Sequence, residues 1–505
     1  MGFSIGSAVL RYSTSAPELN TAVPRPGKTT ALPAKGEDRT VSASTTISAG
    51  PKVVAWQRLP EKGPTSDEHH CAGVYRQSPR RQMKTLLYTA ADAGFNLKEV
   101  PLGGAAPVCA FLTEEWRKQS SFRFRLLTPE VLGQMAPRGN DLLNYTFRQY
   151  IHFTLEFERA ITEEILRHDP REMVILSNDI PDGPRYRLLA EKGYAVYCIS
   201  HMNMVHVFTH AIFGDAVQPE TVAGFYRFME RSPFRFILPG FLKLFFTKQE
   251  EALRYCKGVI VPSQGMKRLL VRMYPDVRHD KIHVVPWGVQ DDLCDERLLR
   301  TRTEELRRHY AIDVGTRVLM TLSRISPEKG QDLLLKALEL WEKESTSTSP
   351  PLCVLMCGVA GYQHAVAFEK KIKEQARKLK KVRVIFPGYV YGLEKQAHFR
   401  LADLYVLPSR FDSCPLTLME AFRAGLPAVA TFTQGAEQLL AKAYGELLPP
   451  MAERKAPPHL KNVIGQMLAD PEKLRSQGRK AQAFAEAHPY SETAEILGRL
   501  MMEPA

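Results

Sequence analysis

No run of apolar residues in this 505-residue chain approaches the roughly eighteen that a membrane-spanning helix needs. The start of the chain also lacks the apolar core of a secretory signal. Eight cysteines (Cys71, Cys109, Cys198, Cys256, Cys294, Cys353, Cys357 and Cys414) stand singly. With no CxxC pair there is no dense disulfide framework, and the expected setting is reducing and cytoplasmic. No zinc finger, homeodomain or aromatic RNA-reading signature occurs, which argues against nucleic acid as a partner. Short internal repeats and a DxD element are missing as well.

What is present is the balance of a soluble globular protein: 44 % apolar and 24 % charged residues. The length suits two or three domains. Lysine and arginine number 68 against 55 acidic residues, a formal charge of +13. Such a surplus favours anionic partners, whether sugar nucleotides, phospholipid surfaces or nucleic acid, and charge alone does not choose among them.

Residues 1–50 are rich in Ser, Thr, Ala, Pro and Gly without a sustained period, which predicts a disordered amino-terminal segment. An organelle transit peptide is the alternative, although no long Arg-rich amphipathic helix supports it. From Pro51 the texture becomes α/β. Strands are expected at Val53–Trp56, Met173–Leu176, Ala195–Ile199, Gly258–Val261 and Ile282–Val285. Helices are expected at Pro79–Ala93, Asn144–Arg167, Gly240–Tyr255 and Gln264–Met273. A turn at Pro286-Trp287-Gly288 and a charged, largely polar stretch, Asp291–His309, precede a second series. Its strands are Arg317–Leu322, Cys353–Cys357, Val382–Phe386, Leu404–Leu407 and Ala428–Ala430. Its helices are Gln331–Lys343, His364–Lys380, Leu416–Ala424 and Ala436–Ala443. Alternation of this kind implies parallel βαβ units. The division drawn from it is a domain over 51–290, another over 291–485, and a carboxy-terminal helix in 486–505 that crosses back to the first. Ligands of such sheets lie beyond the carboxyl ends of the strands.

Two segments carry chemistry at those strand ends. In Leu322-Ser323-Arg324-Ile325-Ser326-Pro327-Glu328-Lys329-Gly330-Gln331, Arg324 and Lys329 sit between a strand's end and a helix's start. Positive charge and free backbone N–H groups collect phosphate there, although solvated charges on an ordinary loop would look the same. In Leu404 to Pro427, a buried strand passes through Pro408-Ser409-Arg410-Phe411-Asp412-Ser413-Cys414-Pro415 into a helix closed by Gly425. Asp412 is placed at the cleft mouth and Glu420 one to two turns into the helix, where a carboxylate can accept both hydroxyls of a ribose. The N–H groups of Leu416 and Thr417 face the same cleft. The plain alternatives are a helix cap for Asp412 and a solvated face for Glu420.

Taken together over roughly residues 250–445, these segments resemble retaining glycosyltransferases of the GT-B fold, of the large family 4 type. The family's Gly-Arg-…-Lys-Gly stretch is matched by Ser323-Arg324-…-Lys329-Gly330. Its Glu-x7-Glu element is matched by Asp412…Glu420 in a Pro-Ser-Arg…Leu-Met-Glu-Ala…Ala-Gly-Leu-Pro frame. Its interdomain segment is matched by Val259-Ile260-Val261-Pro262-Ser263…Ile282 to Val289. The chain departs at Ser323 (for Gly), Trp287 (where Asn is common), Asp412 (one methylene shorter than Glu) and Cys414-Pro415 (for Phe-Gly).

The resemblance implies two Rossmann-like doubly wound domains facing across a cleft, and sugar transfer from a nucleotide sugar with retention at the anomeric carbon. It implies no cofactor and no metal. Arg324 and Lys329 would take the diphosphate, with Leu416, Thr417 and Glu420 completing the nucleotide site. Asp412 would hold sugar hydroxyls, and His201, after Val196-Tyr197-Cys198-Ile199-Ser200, would approach the sugar from the other domain. The implied acceptor is a sugar, a lipid-linked group or a small molecule, which leaves room for peripheral contact with a membrane. The rival class is a GT-B scaffold that binds without catalysing. Phosphorolysis or epimerisation is a further rival, opposed by the combined Arg/Lys and Asp…Glu pattern.

The amino-terminal half is matched less well. Gly73 is the sole candidate for a Gly-rich first loop. His69-His70-Cys71 lacks a further ligand at zinc-like spacing, and His206 and His210 read as structural. Ser177-Asn178-Asp179-Ile180-Pro181-Asp182-Gly183-Pro184 lines the acceptor side or simply turns the chain. The basic groups Arg76, Arg80, Arg81, Lys84 and Lys370, Lys371, Lys373, Arg377, Lys378, Lys380, Lys381 read as solvated faces, with a membrane surface as the alternative. Phe234 to Phe246 reads as core rather than as an interfacial segment.

Overall fold

The computed structural model describes residues 83–502 apart from 94–103, 138–141, 143–144, 214–215, 291–293, 347–349 and 362. The readings for residues 1–50, Val53–Trp56, Gly73, His69-His70-Cys71, Arg76, Arg80 and Arg81 lie outside the described residues.

Two six-stranded sheets form the framework. The first contains β1 (Thr85–Thr89), β2 (Arg123–Leu127), β3 (Met173–Ser177), β4 (Ala195–Ile199), β5 (Gly258–Val261) and β6 (Ile282–Val284) in the order β2-β1-β3-β4-β5-β6. The second contains β7 (Arg317–Leu322), β8 (Leu352–Cys357), β9 (Val382–Gly388), β10 (Leu404–Leu407), β11 (Ala428–Ala430) and β12 (Gly445–Leu447) in the order β12-β11-β10-β7-β8-β9. Every pairing is parallel. The inner strands β3, β5, β8 and β10 are buried along their whole length. Helices cover both faces of a parallel sheet, so such strands read as unbroken apolar runs. The expected α/β architecture of two doubly wound halves is what forms.

The strand expectations hold to within two residues at either end, and the helices differ mainly in where they stop. One expectation fails. The sequence predicts a helix over Pro79–Ala93, but its described part contains the strand β1, paired in register with β2 and β3 (Thr85 opposite Arg123 and Met173). The block Leu86-Leu87-Tyr88 is fully buried between the two faces, and two neighbouring strands outweigh a local pattern that a helix also satisfies. Lys84 therefore precedes a strand and is not on a helix. The basic series from Lys370 is split, because its helix ends at Ala376.

Three elements had weak signals. The edge strand β2 exposes Arg123 and Arg125, with Arg125 paired to Glu164 at 2.7 Å. The polar stretch after Val289 contains the helix Glu296–His309, capped by Asp295, whose Oδ1 accepts from the N–H groups of Arg297 and Leu298. That helix buries only Leu306. The segment from Phe234 divides. Leu244, Phe245 and Phe246 join the core, whereas Phe234, Phe236 and Ile237 are exposed, so core packing holds for its second half alone.

Two stretches of backbone link the halves side by side. Val289 N–H donates to His488 O, and Tyr490 N–H donates back to Val289 O, each at 3.0 Å. The helix Tyr490–Met502 then packs on the helix Ala105–Lys118 beside the first sheet. There Trp116 Nε1 donates to Ala494 O at 3.0 Å.

Candidate active site

The loop from β7 to the helix Gln331–Glu344 is built tightly. Gly330 has φ +67° and lies against the carbonyl of Pro408, where a Cβ would overlap. Only glycine meets both demands without strain. Gln331, buried at the helix start, donates from Nε2 to Ser323 Oγ at 2.9 Å and to Arg324 O at 2.8 Å. Arg410 braces the loop from β10: its guanidinium binds both oxygens of Asp332 at 2.9 Å. It also pairs with Glu453 at 2.6 Å, and its backbone N–H donates to Glu328 O at 2.9 Å. Burial alone would raise the Asp332 carboxyl, but Arg410 holds it below the usual range. Bidentate geometry of this sort fixes position as well as charge.

On that braced loop, Lys329 Nζ meets Asp412 Oδ2 at 2.7 Å. Both side chains are largely covered, 19 % and 9 % exposed. Arg324 lies along Gly361, which has no room for a Cβ beside it, and its Nη2 sits 3.6 Å from Glu328 Oε1.

Asp412 belongs to the loop that enters the helix Leu416–Arg423, whose N-cap position is Pro415. The first N–H groups of a helix have no partner within it. Thr417 is anchored through its hydroxyl, which accepts from Tyr405 OH at 2.7 Å. Glu420 follows one turn in, held by Lys395 Nζ at 2.8 Å. The sequence pattern did not single out Lys395, which stands on the helix Gly392–Leu401 and reaches Glu420 only through the tertiary fold. Arg410 was visible inside the motif, but its bracing role was not.

From the other sheet, His201 stands just beyond β4. Its backbone carbonyl accepts a hydrogen bond from Ser413 Oγ, so it adjoins the Asp412 loop directly. Its ring lies 5.6 Å from that of Trp287, centroid to centroid. Nε2 is 3.2 Å from Asn178 Oδ1, and Asn178 in turn donates from Nδ2 to Asp92 Oδ1 at 2.8 Å. Tyr88 OH donates to the same Asn178 oxygen. An oxygen accepting there calls for a proton on His201 Nε2, which leaves Nδ1 as an acceptor. Burial pushes His201 down to about 3, so the ring is neutral at ordinary pH. Burial and the neighbouring charge of Asp182 push Asp92 up to about 7.

The Ser177–Pro184 segment thus both turns the chain and serves the site: Asp179 Oδ1 accepts from Ile180 N–H while Asn178 reaches His201. His206 and His210, read as structural, lie on the helix Met204–Phe213 with their rings 6.1 and 5.7 Å from Phe411 of the Asp412 loop.

The structure therefore gathers Lys329, Asp412 and His201 at the facing strand ends. Arg324 shares the Lys329 loop, and Leu416, Thr417 and Glu420 lie along the adjoining helix. Among the described residues no group of three His, Cys, Asp or Glu side chains is placed to hold a metal ion.

Residues 302–484 match the family model of glycosyl transferases group 1. The mannosylfructose-phosphate synthase of Agrobacterium fabrum is 28 % identical over 187 residues, covering 36 % of this chain and 39 % of that protein. The D-inositol 3-phosphate glycosyltransferase of Corynebacterium glutamicum is 26 % identical over 264 residues, 50 % of this chain and 61 % of the relative. The match therefore spans less than two thirds of either relative. Anabaena HepE, solved in complex with UDP and glucose, superposes with a TM-score of 0.53 at 17 % identity, over 83 % of this chain and 99 % of that one. Two parallel six-stranded sheets whose strand ends share a basic and acidic site, with the likeness to the solved structure, identify a GT-B fold, and its residues 302–484 are similar to glycosyl transferases group 1.

Proposed function

We propose that this chain is a glycosyltransferase that moves a sugar from a nucleotide-sugar donor to a hydroxyl-bearing acceptor, with retention at the anomeric carbon. The observation that carries the reading is the braced pair of loops holding Lys329 against Asp412 at 2.7 Å, directly beside His201 of the opposite sheet.

The difficult step is departure of a nucleoside diphosphate. Negative charge grows on the leaving phosphate, and fixed cations that need no reorganisation lower that barrier most. Lys329 and Arg324 supply them, with the N–H groups at Leu416 and Thr417 adding partial positive charge. In this mechanism Lys329 exchanges its Asp412 partner for the diphosphate as donor binds. Asp412 is then free to accept hydrogen bonds from the sugar. Glu420 takes the ribose hydroxyls while Lys395 keeps it oriented. His201 Nδ1 accepts from a sugar hydroxyl. The acceptor enters on the face that the phosphate leaves and passes its proton to the departing phosphate oxygen. Inversion is thereby avoided, and no protein nucleophile is required. Approach of the two sheets would exclude the water that otherwise hydrolyses the donor.

The test is release of nucleoside diphosphate from a donor panel led by UDP-glucose, with GDP- and ADP-sugars beside it and phosphorylated polyols, free sugars and glycolipids as acceptors. The expected result is acceptor-dependent release from one donor class with the α-linkage of that donor kept in the product. Failure of every donor and acceptor pair, in folded protein, would overturn the reading.

A further inference from the structure

Five large apolar side chains stand in water within one short stretch. Phe225 is 61 % exposed, Phe228 68 %, Phe234 60 %, Phe236 81 % and Ile237 71 %. Phe225 and Phe228 are three apart on the helix Pro219–Arg231 and share its outer face. The inner face is fixed by buried Ala223 and Tyr226, with the Tyr226 ring 4.7 Å from that of Phe246. Phe234, Phe236 and Ile237 follow on the 3-10 turn Pro233–Ile237, which buries no residue at all. Single exposed apolar residues are ordinary, but a cluster of this size marks a surface that meets something.

The turn itself carries basic charge, while acidic groups stand beside it: Glu250 lies 3.5 Å from Arg231, and Lys248 is buried against Glu158. From Arg231 to Gln249 the sequence holds four basic residues and no acidic one. Arg231, Arg235 and Lys243 are exposed, and the Arg235 guanidinium sits 5.1 Å over the Phe236 ring. Beside Phe228 opens a concavity of about 500 Å³ bordered by Arg227, Arg231, Ser232 and Asp276, with Asp276 paired to Arg227 at 3.3 Å. Aromatic rings interleaved with arginines at a protruding turn suit the boundary between lipid headgroups and acyl chains, where the rings enter and the cations meet phosphate. Among the described residues no helix is long and apolar enough to cross a membrane.

We propose that the face formed by Phe225, Phe228, Phe234, Phe236 and Ile237, with Arg231 and Arg235, docks this chain on a bilayer that contains anionic lipid. The helix Pro219–Arg231 packs on the helix Met204–Phe213, which carries His206 and His210 towards Phe411. A docked bilayer therefore lies one helix away from the candidate site, on the side of the first sheet.

The experiment is flotation of the full chain with vesicles of phosphatidylcholine alone and of phosphatidylcholine mixed with phosphatidylglycerol, at low and raised salt. Two variants accompany the wild type: Phe228→Ser/Phe236→Ser/Ile237→Ser, and Arg231→Glu/Arg235→Glu. Wild type is expected to float with the anionic vesicles, less so at raised salt. Each variant should lose roughly tenfold or more of that partition while keeping its melting temperature, since the altered side chains are exposed. Absence of binding to anionic vesicles, or equal binding by wild type and variants, would overturn the proposal. So would a wild-type dimer without lipid that the apolar variant dissociates, because the face would then belong to a second copy. The readout uses no catalysis, so it stands or falls separately from the proposed transferase activity.

Discussion

At the residue scale, the account turns on a few side chains whose surroundings decide their state. Lys329 is the clearest. Its ammonium is held by Asp412 at 2.7 Å and is mostly shielded from water, so it is preorganised for an anion. Lys329→Ala should lower kcat/KM for sugar transfer by about 10²–10³-fold, the usual cost of removing one electrostatic contact to a developing anion, with the melting temperature near that of wild type. Steady-state kinetics beside a thermal melt will show it. Lys395→Ala, which strips Glu420 of its 2.8 Å partner, should weaken nucleoside diphosphate binding by roughly tenfold, read by calorimetry. His201 makes a different prediction. Its folded value of about 3 lies below the ordinary 6.5. Between those pH values the unfolded chain takes up a proton that the folded chain refuses, so this group removes stability as pH falls. Urea midpoints at pH 7 and pH 5 should fall further apart for wild type than for His201→Gln.

At the scale of elements, loops are held by groups that a linear motif only half reveals. Arg324, Lys329, Asp412 and Glu420 were legible because their types and spacing survive in one dimension. Lys395 was not, since it lies on a separate helix and meets Glu420 only after folding. The Asn178, Asp92 and Tyr88 network behind His201 was hidden for the same reason: its members come from the ends of β1 and β3. The strand β1 is ambiguous in the sequence because the three-residue apolar block Leu86-Leu87-Tyr88 suits either period, and only pairing with β2 and β3 decides it. Strands buried on both faces were found almost to the residue, while the edge strand β2, with its exposed arginines, and the polar helix Glu296–His309 gave little apolar signal. The same scale yields a backbone prediction. At Gly330 the positive φ and the adjacent Pro408 carbonyl leave no room for a methyl group. Gly330→Ala should cost about 2 kcal/mol or more, measured by urea denaturation, and should reduce activity further by moving Lys329.

At the scale of the whole molecule, the two sheets are tied by more than one strand of chain. The segment at Val289 runs beside His488–Tyr490, and the last helix buries Tyr490, Thr493, Ala494, Leu497 and Met501. Trp116, itself without solvent exposure, donates to that helix. Removing residues 490–505 would uncover this apolar seam and leave the Trp116 indole N–H without its acceptor. Such a chain should melt at lower temperature and expose apolar surface, seen as increased dye binding and loss of monodisperse elution. The seam also implies that any movement between the sheets bends at Val289 and at His488–Tyr490 together, where the polypeptide crosses in both directions.

The central claim is that the strand-end site holds a nucleoside diphosphate through Lys329. The most direct measurement is the melting temperature of wild type and Lys329→Ala with saturating UDP, GDP or ADP, since a ligand that binds only the folded state raises it by mass action. The account predicts that one of these nucleotides raises the melting temperature of wild type and leaves that of Lys329→Ala nearly unchanged. Folded wild type that responds to none of them, or a variant that responds as strongly as wild type, would contradict it.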